Sequence, residues 1–155
     1  EWNGPNAERC IKTTLARQIA NWVIIYSPLQ MAADLIENYE GHPAFRFFRD
    51  FDADCDWSKA LQGEIGDYIV VARRAKDRYF LGAGTDEKAR TLVQKLDFLE
   101  PGVTYTATIY ADAPDAGRNP EAYLIGKRAV TARDTIRIEM AERGGQAITF
   151  IPAEK

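Results

Sequence analysis

The chain has 155 residues, of which 46% are hydrophobic and 28% are charged. This composition is typical of a folded domain of ordinary size with an appendage, and it excludes an intrinsically disordered chain. Because 20 basic residues are mixed with 23 acidic ones along the whole length, we predict no surface for nucleic acid or for an anionic membrane. A catalyst or a binder of neutral ligands fits this charge balance better.

Cysteine usage and the longest apolar run bear on two further classes, metal-binding proteins and membrane-spanning proteins. Cys10 and Cys55 lie far apart and lack the Cys or His spacing of a zinc site, so we predict free thiols and no metal in this chain. The longest apolar run, residues 22–26, is far shorter than the roughly 20 residues that span a bilayer. Nothing near Glu1 resembles a signal peptide, so we expect an amino terminus that has been processed or cut.

An amphipathic helix is the first predicted element. Leu15, Ile19 and Val23 recur at helical spacing on one side of it, and Thr13 or Thr14 can cap its start. Its last turn is apolar almost all round, and a helix of that kind normally packs inside something larger. We therefore expect this helix to lack partners in a free-standing chain.

Two short elements follow the helix. Residues 29–33 are apolar, and periodicity alone allows either a strand or a helix there. Pro43 then opens a third element that is rich in phenylalanine. The candidates for the buried side of this element are Phe45, Phe48 and either Phe47 or Phe51.

After Cys55 the pattern changes to alternation interrupted by turns. The clearest case is residues 135–140, where three apolar side chains alternate with three polar ones, which predicts a strand with one buried and one solvent-exposed face. Short strands at such regular intervals indicate an antiparallel sandwich or barrel. The predicted strands cover residues 57–61, 67–74, 78–83, 91–98, 103–112, 122–130, 135–140 and 147–151.

Two motifs are weak candidates for chemistry. Four aspartates at every second position, Asp50 to Asp56, resemble a calcium loop, but the glycine and the final glutamate of such a loop are missing, so a polar linker between domains is favoured. His42, the sole histidine, lies in a Gly-His-Pro turn without an evident nucleophile, and we interpret it as a loop residue. Among 23 acidic residues the sequence identifies no catalytic pair.

Aromatic residues on the predicted strands have two interpretations. They could stack on sugar rings, and Trp57 is the candidate that we single out for this role. Aromatics on alternating strands more often belong to the core. The other residues open to both interpretations are Tyr68, Tyr79, Tyr110 and Tyr123.

Several segments together resemble the carboxyl-terminal part of glycoside hydrolase family 97. They are TTLARQIANWVIIYSPLQMAADLIENY, DWSKALQGEIGDYIVVARRAKDRYFLGAGTDEKART, FLEPGVTYTATIYADAPDA and NPEAY. The resemblance implies a bacterial, typically periplasmic, exo-acting α-glycosidase that hydrolyses terminal α-glucosides or α-galactosides. It also implies an amino-terminal β-sandwich, a central (β/α)8 barrel and a carboxyl-terminal β domain for packing and oligomerisation.

The resemblance implies a division of this chain into two parts. Residues 1–54 would be the last helix, strand and helix of the barrel, and residues 55–155 a carboxyl-terminal β-sandwich of about eight strands. The barrel's seventh helix would cover residues 13–26, its eighth strand residues 28–33 and its last helix residues 43–51. Asp34 would then lie at the rim of the substrate pocket, or would cap a loop.

By the same resemblance, the catalytic carboxylates and the calcium ligands lie upstream of this chain. Glu1 to Gly4 resemble the stretch that carries the catalytic acid, but the long segment that should follow is missing, so the role is not transferred. We therefore expect no catalytic residue, no cofactor and no activity in this chain alone, and Ca²⁺ in the full-length parent. The predicted partners are the rest of the barrel or a second subunit, with oligosaccharide bound through the parent. The alternative is an independent carbohydrate-binding or assembly module.

Overall fold

A computed structural model describes residues 12–32 and 35–153. Helix α1 covers Leu15–Ile24, α2 covers Ile36–Tyr39, and a 3-10 turn at Pro43–Phe45 leads into α3 at Arg46–Asp50. Eight strands follow in the remainder of the described chain. They are β1 Trp57–Glu64, β2 Tyr68–Ala75, β3 Arg78–Thr85, β4 Arg90–Lys95, β5 Tyr105–Asp112, β6 Tyr123–Val130, β7 Thr135–Met140 and β8 Gly145–Pro152.

The strands form two packed antiparallel sheets. Six of them pair in the order β1-β2-β3-β8-β5-β6, and β4 pairs with β7 in a second, two-stranded sheet. The core between the sheets includes Leu81, Ile148 and Phe150 from the large sheet and Ile136 and Ile138 from β7. The prediction of a mainly β, antiparallel sandwich of about eight strands is therefore confirmed, and every predicted strand overlaps an observed one.

The outer face of the large sheet is covered by the helical segment. Ile19 and Val23 of α1 and Phe47 of α3 are buried against Phe80 of β3 and Ala147 of β8. Since the small sheet covers the other face, β3 and β8 are buried on both sides over most of their length. The expectation that the predicted helix lacks partners is wrong, because this chain's own sheet provides them.

Local sequence accounts for the limits of α1. The Thr14 hydroxyl accepts a hydrogen bond from the Arg17 N–H at 3.1 Å and so caps the first turn. At the other end Ile25 is extended, and its N–H donates to the Asn21 carbonyl at 2.8 Å. The helix therefore ends before Pro28, and the helix predicted from the apolar spacing is confirmed.

Two glycines let α1 lie directly on the sheet backbone. A Cβ atom at Gly82 would lie 2.6 Å from the Ala20 carbonyl oxygen, and one at Gly145 would lie 2.8 Å from the Arg17 Cα. Both distances are shorter than real side chains allow, so the absence of a side chain is what permits this contact. We refer to Gly82 and Gly145 as the glycine seat of α1.

The strand predicted at residues 28–33 is not observed. Residues 28–32 adopt no regular structure, with Leu29 72% and Met31 79% exposed, while residue 33 lies outside the described part of the chain. A strand needs a neighbouring strand to satisfy its backbone hydrogen bonds, and no described strand pairs with this segment. The prediction of a strand here is therefore wrong for residues 28–32 of this chain.

The phenylalanine-rich element is confirmed as helical, and its buried side is now assigned. Phe47 is fully buried and packs edge-on against Tyr110 at a ring-centroid distance of 5.5 Å. Phe45, Phe48 and Phe51 are only partly buried. The predicted boundary between residues 54 and 55 stays a prediction.

We expect Gly82→Ala to destabilise the protein by about 1–3 kcal/mol, because the added methyl group must push α1 away from β3. Gly126→Ala is the matched control, since nothing lies within 4 Å of a Cβ at Gly126, and it should change stability by no more than about 0.5 kcal/mol. Urea unfolding followed by circular dichroism measures both. Equal stability of the two variants would contradict the proposed role of the glycine seat.

Candidate interaction surface

The aspartates between residues 50 and 56 do not converge on a common point. Asp50 pairs with Arg46 at 3.2 Å, Asp52 with Lys76 at 3.2 Å, and Asp56 with Arg74 at 2.8 Å. In the part of the chain that the structure describes, no group of three or more His, Cys, Asp or Glu residues could hold a metal ion. Asp52 and Asp56 instead attach the segment before β1 to strand β2 and to the turn that follows it, whereas the Asp50 pair lies within α3.

His42 and the aromatic candidates occupy several different environments. The His42 ring stacks on Tyr123 at a ring-centroid distance of 5.4 Å. Tyr79 and Tyr110 are buried, as the core interpretation predicts. Tyr68 lies under the Arg90 guanidinium at 5.6 Å. Trp57 is partly buried at the start of β1, directly opposite Arg74 of β2.

One carboxylate joins three segments of the fold. Asp112, at the end of β5, accepts hydrogen bonds from the backbone N–H groups of Ala141 at 2.9 Å and Gly145 at 3.0 Å. Arg17 of α1 lies close enough to interact electrostatically with it. The Arg17 guanidinium also donates to the Thr85 carbonyl at 2.9 Å. We call Asp112, Arg17 and the two amides the Asp112 junction.

Burial dominates the electrostatics of the Asp112 junction. It raises the pKa of Asp112, although the Thr14 hydroxyl, the two backbone amides and Arg17 act in the opposite direction. Burial also lowers the pKa of Arg17, and Asp112 partly offsets that effect. A carboxyl with a raised pKa can serve as a general acid, but here one contacted amide lies in the segment that links β7 to β8 and the other is the first of β8. Asp112 therefore holds structural elements together.

A group of exposed apolar side chains precedes the sandwich. From Ile25, just after α1, to Ile36, the first residue of α2, five large apolar side chains are at least 60% exposed. Exposed apolar side chains that lie this close together in the sequence are typical of a surface that contacts another protein part. We call these residues the apolar strip: Ile25 62%, Leu29 72%, Met31 79%, Leu35 70% and Ile36 60% exposed.

The two site residues predicted from sequence have different outcomes. Asp34 lies outside the described residues, so its predicted place at a pocket rim stays a prediction. Trp57 is one of the residues around a shallow cleft, and Tyr26, which lies just after α1, is another. Sequence reasoning did not identify Tyr26 or Asp112, because neither belongs to a motif and their neighbours come from distant parts of the chain.

No described helix is long and apolar enough to cross a membrane.

The fold and its surfaces define a β-sandwich accessory domain that carries a helical segment for packing. Residues 54–151 match the sequence model of the family described as glycosyl-hydrolase 97 C-terminal, oligomerisation. The chain belongs to this family, and the resemblance identified from the sequence is confirmed. It is therefore a carboxyl-terminal, oligomerisation-type region of glycoside hydrolase family 97.

Similar proteins extend well beyond the length of this chain. A retaining α-galactosidase of Bacteroides thetaiotaomicron is 32% identical over 136 residues, which cover 87% of this chain and 20% of that protein. A glycoside hydrolase family 97 enzyme from Pseudoalteromonas sp. strain K8, solved with acarbose, is 46% identical with a TM-score of 0.87 and covers 92% of this chain and 23% of the enzyme. This chain therefore spans about a fifth to a quarter of these relatives.

A more distant structure supports the fold alone. A β-arabinopyranosidase matches with a TM-score of 0.68 at 22% identity, over 89% of this chain and 21% of that enzyme. At this level of identity the likeness concerns the arrangement of helix and sandwich and carries no statement about substrate.

We expect Asp112→Asn to change how stability depends on pH. Because the pKa of Asp112 is raised in the folded state, its contribution is fully present below the unfolded value of about 4 and is lost as pH rises through the folded value. The stability of the original protein relative to the Asn variant should therefore fall between acidic and neutral pH. Urea unfolding of both proteins at several pH values measures this difference, and a rise with pH would contradict the assignment.

Proposed function

We propose that this chain is the non-catalytic carboxyl-terminal part of a family 97 α-glycosidase whose full-length form hydrolyses terminal α-glucosides or α-galactosides. The observation that carries the proposal is the apolar strip, which follows directly on a helix that is anchored to the sandwich. The strip lies upstream of residue 54, where the match to the oligomerisation family begins. We assign it to contact with the rest of the catalytic barrel of the same polypeptide.

The arrangement of the acidic residues supports a non-catalytic role. Glycoside hydrolysis uses two carboxyl groups that flank one bond, separated by about 5–9.5 Å according to the stereochemical outcome. Here Asp52 and Asp56 are paired with basic side chains, and Asp112 is bonded to two backbone amides. The contacts of these three carboxylates serve the fold, which supports placing the two reacting carboxylates in the upstream part of the parent.

Three further features of the proposed parent are taken from its family. The parent is an exo-acting enzyme in the periplasm, and Ca²⁺ is bound by residues upstream of this chain. The relatives are consistent with either sugar, since one is named as a retaining α-galactosidase and the other was solved with acarbose. The sandwich then serves packing and association of subunits, while the apolar strip completes the barrel. An independent assembly module is the alternative, in which the strip binds a second copy.

We expect the purified 155-residue chain to hydrolyse neither p-nitrophenyl α-glucoside nor p-nitrophenyl α-galactoside. The reason is that a pair of carboxylates at the required separation must be held in a preformed site. Release of p-nitrophenol measures turnover, and a full-length family 97 enzyme assayed in parallel is the positive control. Turnover that co-purifies with the folded chain would refute the non-catalytic assignment.

We expect the double variant Leu29→Ser, Met31→Ser to bind less of a hydrophobic dye and to self-associate less than the original chain, because it removes two of the most exposed side chains of the strip. Its unfolding free energy should change by no more than about 0.5 kcal/mol, since exposed side chains contribute little to the fold. Dye fluorescence and sedimentation velocity measure the two surface properties.

Ile65→Ser is the matched control, because Ile65 is fully exposed in the β1 to β2 turn, far along the chain from the strip. Dye binding and sedimentation should not change in this variant. If the double variant and the control behave alike, the strip is not the interaction surface.

A further inference from the structure

Strand β6 forms one edge of the six-stranded sheet. Among the described strands it pairs with β5 alone, and this pairing is regular from Tyr105 opposite Val130 to Asp112 opposite Tyr123. A strand at the edge of a sheet leaves a row of backbone N–H and C=O groups that point away from its neighbour. β6 therefore offers hydrogen-bonding groups along a strand of eight residues.

The layers that cover the centre of the sheet do not extend over the middle of β6. At its start Tyr123 stacks on His42 and packs against the helical layer, and at its end Val130 belongs to the core between the sheets. The six residues between them, 124–129, are all exposed. Because successive side chains of a strand point to opposite faces, both faces of β6 are open to solvent here.

The opposite edge of the same sheet, β1, is protected against pairing. Its register with β2 shifts between Ala60 and Gln62, and an irregularity of this kind is a common device that disrupts the edge. The Gln62 side chain also donates to the Val93 carbonyl at 3.3 Å and to the Gln94 side chain at 2.9 Å, which ties β1 to β4. The pairing of β6 shows no such shift, so β6 is the more open of the two edges.

The side chains of β6 combine apolar surface with positive charge. Leu124 is 55% exposed and Ile125 is 40% exposed, one on each face of the strand. Lys127 and Arg128 follow, and β6 contains no acidic residue. Like charges directly opposite each other destabilise a strand pair. A partner strand with the same charges must therefore pair in a register that separates the cations.

A second copy of this chain is the partner that the observations favour. β6 lies within residues 54–151, which match a family model described by oligomerisation. Most soluble homo-oligomers are two-fold symmetric dimers, in which the same surface patch contacts itself. An edge strand fulfils this requirement, because two identical strands can pair antiparallel about a two-fold axis and satisfy each other's backbone groups.

We propose that β6 pairs antiparallel with β6 of a second copy about a two-fold axis, with Ile125 opposite Ile125, so that the two large sheets become one continuous sheet. In this register Tyr123 lies opposite Lys127, and Leu124 lies opposite Gly126. The inference deepens the association role in the proposed function and rests on it. It adds the surface and the partner, and it leaves the assignment of the apolar strip to the barrel unchanged.

Electrostatics selects this register over its neighbours. With Ile125 at the centre, the two Lys127 residues are offset by four residues, or about 14 Å along the strands. This offset exceeds the screening length of about 8–10 Å at ordinary ionic strength. A centre at Gly126 would reduce the offset to about 7 Å, and a centre at Lys127 would place the two cations directly opposite each other. Because the pairing covers only residues 123–127, we expect the dimer to be weak and concentration-dependent.

Sedimentation equilibrium of the Leu29→Ser, Met31→Ser chain tests the proposal, since this background reduces association through the apolar strip. We expect a monomer–dimer equilibrium that Ile125→Lys weakens by about tenfold or more, because the change places two cations at the centre of the strand pair. Ile65→Lys is the matched control, since Ile65 is exposed in the turn between β1 and β2. It should leave the equilibrium unchanged. Circular dichroism establishes that each variant is folded.

Disulfide cross-linking tests the register. Opposite residues of an antiparallel pair have Cα atoms about 4.5–5.5 Å apart, which a disulfide can span. In the same background with Cys10 and Cys55 replaced by serine, Ile125→Cys should form a covalent dimer on mild oxidation. Gly126→Cys is the matched control, because nothing lies within 4 Å of a Cβ atom there and its opposite residue in this register is Leu124. It should cross-link far less.

Three outcomes would overturn the proposal. They are a chain that stays monomeric over the accessible concentration range, a dimer that Ile125→Lys leaves intact, and cross-linking that is as efficient through Gly126→Cys as through Ile125→Cys. The non-catalytic assignment is tested separately by turnover, and the apolar strip by dye binding. Failure of the β6 pairing is therefore distinguishable from failure of the proposed function.

Discussion

The structure depends on the direct contact between helix α1 and the two central strands of the large sheet. Gly82 and Gly145 bring the helix backbone against β3 and β8. At the Asp112 junction, Arg17 of the first turn interacts electrostatically with Asp112 of β5, which accepts hydrogen bonds from the amides of Ala141 and Gly145. With α1 in place, both faces of the central strands are covered and two cores form on either side of one sheet. The helical segment is therefore an integral layer of the fold.

This contact also determines what the chain offers to partners. Because α1 is held along its length, the residues just after it leave the sandwich at a defined place and carry the apolar strip. The same end of α1 places Tyr26 beside Arg73 and next to β1. The apolar strip and this contact are thus adjacent, since Ile25 and Tyr26 are consecutive residues. The acidic side chains nearby stabilise the fold.

Much of the architecture could be predicted from the sequence because it reflects local patterns. The alternation in β7 and the turn residues between strands located all eight strands, and helical spacing located α1. The segment at residues 28–32 shows the limit of this reasoning, since an apolar run forms a strand only beside another strand. Trp57 could be named as a candidate for sugar stacking from its place on a strand, but the contact between Tyr26 and Arg73 could not be predicted, because it depends on how α1 lies on the sheet.

The sequence by itself determined the class of fold and the family, because hydrophobic periodicity, turn chemistry and a specific set of motifs are all written along the chain. Only the tertiary structure decided which face each element buries and what each charge does. Asp112 is one of 23 acidic residues, and no sequence motif distinguishes it from the others. Its structural role arises from the backbone amides of Ala141 and Gly145, which lie about 30 residues further along the chain. The physical reason is that burial and hydrogen bonding depend on neighbours in space, which periodicity does not specify.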